Sequence, residues 1–162
     1  MTNKKESIPV LAVKQPWAGL ITSGKKITEI RGYPAPKKYI GKEIAIYASR
    51  TKPLPAEIDH CLKMNYRLYG SYSLPHLCDT KGVILATATL SSSLKCTGWQ
   101  DFDCWEHEHW NPLDYYRKDK TYYWHLDDVK PLKNPVPFKF SGSIVWSSIE
   151  VEKLAGFLDK SL

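Results

Sequence analysis

The sequence predicts an α+β domain in which strands dominate, and three observations carry that prediction. Apolar residues alternate with period two over 41–49 and 82–96, as half-buried strands require. Over 16–23 and 56–69 they instead recur every three or four residues, the helical signature. Glycine or proline stands at most of the boundaries, and no internal repeat or low-complexity segment is visible.

Pro9 to Val13 is a short apolar run suited to a strand, and Pro16 follows where it can occupy the first turn of a helix without losing a needed hydrogen bond. Trp17, Leu20 and Ile21 fall on one face of that helix, and Gly24 lies just beyond its end. Lys26 to Arg31 has β character, turning Ile27, Glu29 and Arg31 to one face and Lys26, Thr28 and Ile30 to the other, so that Glu29 and Arg31 can pair. Gly41 to Ser49 forms the next strand, with Ile44 and Ile46 on one side, and Pro53 and Pro55 close it. Ile58, Cys61, Leu62, Tyr66 and Tyr69 follow helical spacing up to Gly70, a helix expected to be scaffold.

Gly82 opens a run to Cys96 long enough to bend, alternating as a barrel strand does. Residues 98–120 read as an aromatic-rich insertion carrying at most a short helix. Tyr122 to Leu126 resumes a strand, and Pro131, Pro135 and Pro137 are expected to confine the following chain to edges or turns. Gly142 to Ile149 gives the last strand.

The chain of 162 residues suffices for one core without staples, and two domains are not expected. No long uncharged apolar run is present, which excludes a spanning helix, and the polar, lysine-bearing start carries no secretory signal core, so the expected location is the cytoplasm. Net charge is +6, and it is uneven: residues 1–52 hold eleven Lys and Arg against three Asp and Glu, while the rest holds twelve against fourteen. A positive field over one face attracts phosphates, although a solvated basic surface has the same composition.

The four cysteines show no C-x-x-C pair and read as reduced, mostly buried thiols. Cys104, His107 and His109 are the one set whose chemistry suits zinc, but a fourth ligand is not evident, and no metal and no cofactor are expected.

Several segments together point to a family. Gln15-Pro16-Trp17-Ala18, Gly24-x-Lys26-x-x-Glu29-x-Arg31, the Ile44 to Ser49 strand, Gly82 to Ala86, Trp124 to Val129, Pro135-Val136-Pro137 and Gly142 to Trp146 occur in an order that resembles the ASCH domain, the ASC-1 homology domain of the activating signal cointegrator and a branch of the PUA-like superfamily. The resemblance spans roughly residues 8–150. It implies a small PUA-like β-barrel with flanking helices and a cleft beside the Gln15-Pro16-Trp17-Ala18 helix. Members are associated with RNA or DNA binding, and some bacterial relatives resemble amidohydrolases of acetylated cytidine or ribonucleases. In the amidohydrolases a lysine after the glycine is followed three residues on by a threonine nucleophile; here the lysine matches Lys26 but the threonine position is Glu29, with Thr28 adjacent.

Two functional readings follow. As a binder of RNA or DNA, preferentially single-stranded, the chain would use a basic cleft: Lys14, Lys25, Lys26, Arg31 and Lys42 on phosphates, Trp17 as a stacking face, Gln15 on a base edge, and Ser49 at the border. Lys37 and Lys38 are further candidates, equally well explained as a solvated turn. As a hydrolase of a modified nucleoside or of RNA, Lys26 would serve as base, Glu29 would orient it or a water, and Tyr47 and Ser49 would donate hydroxyls. A third reading makes the 98–120 insertion a protein-interaction surface. No membrane partner is expected, and the oligomeric state is left open.

Overall fold

The structure, a computed structural model, describes residues 5–142 and 145–155. Residues 1–4, and Ser143 and Ile144 of the motif at 142–146, lie outside the described residues. β1 (Ser7–Val13) is followed by α1 (Trp17–Thr22), β2 (Thr28–Arg31) and β3 (Lys42–Ala48). α2 (Pro55–Tyr69) leads to β4 (Val83–Lys95), then α3 (Trp99–Cys104) and α4 (Glu106–His109). β5 (Tyr122–Pro137), β6 (Trp146–Glu150) and α5 (Val151–Ala155) complete the described chain.

The six strands form one mixed sheet in the order β2-β5-β4-β3-β1-β6. β1 and β3 run parallel, with Val10 opposite Ala45, and the remaining pairs are antiparallel. Among the described residues no backbone ladder joins β2 to β6, so the expected barrel is not closed by hydrogen bonds. Side chains draw the ends together instead. Trp124 of β5 stacks on Trp146 of β6 with centroids 5.9 Å apart, and Arg31 Nη2 of β2 donates to the Ala12 carbonyl of β1 at 2.8 Å.

Alternation along each strand fills two layers. Leu11, Val13, Ile44 and Ile46 enter the main core with α1, Trp110 and Trp124, whereas Val10, Ala45, Tyr47 and Ile84 enter a smaller core on the opposite face with Leu132 and Val136. α1 is buried on every side, so its expected single apolar face is instead an all-round core contact. Gly19 is required there, because a Cβ would meet the Cys78 backbone at 2.6 Å. Gly70 ends α2 in the left-handed region at φ 74°, with its N–H on the Tyr66 carbonyl.

Of the two places expected for Pro131, Pro135 and Pro137, the structure takes the edge and not the turn: all three lie inside β5. β2 pairs only with Tyr122–His125, so the rest of β5 has an open edge where a missing N–H costs nothing, and its register against β4 shifts at bulges. The insertion at 98–120 is no loose appendage. It folds into α3, α4 and a 3-10 turn at Leu113–Tyr115, and fully buried Trp110 anchors it in the main core.

Candidate functional site

A cleft of about 480 Å³ opens between the start of α1, the outer face of β2 and the insertion. Lys14, Trp17, Glu29, Arg31 and Ser49, all singled out in the sequence, line it. Glu57, Asn111 and Tyr115 line it as well.

Glu29 and Arg31 share a face of β2 because residues two apart in a strand point the same way. Arg31 Nη2 reaches Glu29 Oε2 at 2.7 Å, and its guanidinium lies 5.6 Å from the Trp124 ring centre. Among the described residues the two N–H groups of its Nη1 have no protein acceptor. Burial alone would raise the Glu29 pKa, but Arg31 and Lys26 together hold its carboxyl below the usual carboxylate range.

Lys26 departs from the expected alternation. It precedes β2, still in the turn after Gly24, so the pleat does not dictate its direction, and its side chain runs to the Glu29 side. Its Nζ is fully buried, donates to the carbonyls of Thr28 (2.6 Å) and His109 (2.5 Å), and lies 3.3 Å from Glu29 Oε1. Burial lowers the Lys26 pKa while Glu29 opposes the shift. Each of its three protons has an acceptor within reach. Sealed from solvent, the Lys26 Nζ reaches neither a phosphate nor a substrate proton directly, so the expected phosphate contact and general-base role give way to a post beneath the cleft floor.

Gln15 is also sealed from solvent: its amide donates to the carbonyls of Leu77 (2.7 Å) and Thr80 (2.6 Å) and accepts from the Gly19 N–H. It ties α1 to the segment before β4 and reaches no base edge. Lys25 turns away onto α2, 2.7 Å from Asn65 Oδ1 and 4.3 Å from the Tyr69 ring centre. Lys42 is exposed at the start of β3, outside the cleft, and Tyr47 belongs to the core on the opposite face of the sheet. Thr28 faces a separate hollow, where its hydroxyl meets Glu108 and His125.

The cleft is consequently not a basic trough. Lys14 Nζ sits 2.6 Å from Glu57 Oε1, and Glu29 is shared between Arg31 and buried Lys26, so two carboxylates offset all but one of three cations. Glu57 also accepts from the Leu54 N–H and the Tyr115 hydroxyl. The sequence signal for this residue was its place in the first turn of a helix opened by Pro55, where an acid caps free N–H groups. Trp17 and Tyr115 form the apolar wall, centroids 5.9 Å apart and planes at 58°, with the Trp17 Nε1 on the Trp110 carbonyl. Asn111 also lines the cleft, its amide bound to the His109 carbonyl at 2.8 Å. Ser49 and Thr51 hydroxyls, 3.0 Å apart, complete the rim.

Among the described residues no group of three His, Cys, Asp or Glu is gathered as a metal would need. His109 spends both ring nitrogens: Nδ1 accepts from the Asn111 N–H and Nε2 donates to the Phe102 carbonyl. Burial pushes its pKa down to about 3, fixing it neutral. No described helix is long and apolar enough to cross a membrane.

These features define an α+β domain with a wrapped, unclosed sheet and an aromatic-walled cleft, lined by ion pairs, under its first helix. No protein-family model matches the sequence, and no curated protein matches it. Solved structures do match. The ASCH protein of Zymomonas mobilis is 18% identical, with a TM-score of 0.61 over 93% of this chain and 95% of that one. Two point variants of the same protein, one with serine replaced by alanine and one with tyrosine replaced by phenylalanine, are also 18% identical over 93% of this chain. Their TM-scores are 0.59 and 0.58, over 96% and 98% of those chains. The chain has the ASCH fold.

Proposed function

We propose that this protein binds single-stranded RNA or DNA, taking one base into the cleft. The observation that carries the reading is the juxtaposition of the half-buried Tyr115 ring, backed by nearly buried Trp17, with the Arg31 guanidinium in a hollow of about 480 Å³, within the size range of small-ligand sites. Aromatic faces hold bases of any identity, and an unpaired guanidinium donor gives a base edge or its phosphate a directional contact. Glu57 and Glu29 offset all but one of the positive charges of Lys14, Arg31 and buried Lys26, so the cleft favours a base, with at most one phosphate beside it, over a run of phosphates. Retention of a labelled, randomised oligonucleotide at low salt tests this. Binding weakened by Arg31→Ala and by Tyr115→Leu supports the reading, and no retention by the wild-type protein refutes it.

A hydrolytic reading of the same cleft is favoured by one observation: the Ser49, Thr51 and Tyr115 hydroxyls stand on its walls with two carboxylates. Glu29 and Ser49 remain its candidate residues, acting on a modified nucleoside such as acetylated cytidine or on RNA. Consumption of either substrate, abolished by Ser49→Ala, supports this reading; intact substrates after long incubation with wild-type protein count against it.

A further inference from the structure

A second hollow, of about 790 Å³, adjoins the cleft, and Ala12, Ser49 and Thr51 line both. Its composition is the reverse of the cleft's. Tyr47, Phe138 and Phe140 make an aromatic floor, with Tyr47 and Phe140 stacked at 5.2 Å, and no acidic residue lines it. Its two cations, Arg50 and Lys139, are exposed and have no carboxylate or hydrogen-bond partner among the described residues.

Arg50 is also placed by the fold. Its guanidinium lies against Gly82, where an added Cβ would come within 2.7 Å of Cζ. Gly82 has φ +73°, which favours glycine, and its N–H is held by the Ala48 carbonyl. Glycine at 82 thus leaves room for the guanidinium at the mouth of the hollow, one residue along from Ser49 of the cleft rim. Solvent-exposed cations without counter-charges are suited to a phosphate, whose bound ions they release.

We propose that this hollow is a phosphate subsite in which Arg50 and Lys139 hold the phosphodiester flanking the base in the cleft. The ligand is then a nucleotide chain rather than a free nucleoside. This rests on the reading of the cleft given above and adds the direction in which the strand leaves it, over the Ala12, Ser49 and Thr51 ridge.

The test measures affinity of a labelled, randomised single-stranded oligonucleotide across a salt series, for wild type, Arg50→Gln/Lys139→Gln and Arg31→Ala. The double variant is expected to bind about tenfold more weakly and to show a log-affinity against log-salt slope shallower by about 0.7 per cation removed. Its melting temperature should be unchanged, because both side chains are exposed. Arg50→Lys should keep the slope while losing part of the affinity, since the fork is gone and the charge is not. A double variant with wild-type affinity and slope, while Arg31→Ala still weakens binding, overturns the subsite and leaves the cleft reading standing. Loss in the double variant with none in Arg31→Ala overturns the coupling of the two hollows and points to a free anion site. No binding by any protein removes the cleft reading itself.

Discussion

Arg31 Nη2 donates 2.8 Å to the carbonyl of Ala12, joining β2, at one end of the hydrogen-bonded order, to β1, next to the other end. The same nitrogen reaches Glu29 at 2.7 Å, so one guanidinium wraps the sheet and walls the cleft. Arg31→Ala is therefore expected to weaken oligonucleotide binding about tenfold. Arg31→Lys should recover little of it, because a point charge cannot replace the planar fork. Fluorescence anisotropy with both variants checks the order.

Lys26 is expected to matter for folding. Replacing it by Met strips charge-assisted partners from the buried carboxylate of Glu29 and from two carbonyls. Breaking a buried pair of this kind costs about 3–5 kcal/mol. Urea unfolding measures it; a loss below about 1 kcal/mol would mean that the ammonium is not holding the cleft floor.

Gln15→Leu should cost about 3 kcal/mol, since Leu77, Thr80 and Gly19 lose buried partners together. Oligonucleotide affinity per folded molecule should be unchanged. A selective loss of affinity at wild-type stability would return Gln15 to the binding surface.

Stability should fall on acidification. His109 is neutral in the folded protein down to about pH 3 but takes a proton near pH 6.5 when unfolded. Across that window the unfolded state binds more protons, so stability rises with pH, by up to about 5 kcal/mol in total. Glu29, with its lowered pKa, acts in the same direction: its contribution is present above its unfolded value and lost below. Denaturant titrations of wild type and His109→Gln should show a flatter dependence between about pH 6.5 and 4.5 in the variant.

Much of the fold could be read from the residues. The helix after Pro16, the glycine stop at Gly70 and the pairing of Glu29 with Arg31 all follow from local periodicity, which needs no knowledge of distant chain. What local pattern could not show was where long side chains go. Lys25 and Lys26 are adjacent and alike in sequence, yet one lies on the Tyr69 ring and the other is buried among carbonyls, because α2 and the insertion arrive from far along the chain. Glu57, Asn111 and Tyr115 were missed for the same reason: each enters the cleft from an element read as scaffold or as an irregular insertion. The prolines of β5 pointed to an edge or a turn, and only the neighbouring strands decide for the edge.

Photo-crosslinking of a bromouridine-substituted single-stranded oligonucleotide, with mapping of the attached peptide, tests the central claim most directly. Attachment at Trp17 or Tyr115, lost when unlabelled strand competes, is the predicted result. Crosslinks confined to residues outside the cleft would contradict it.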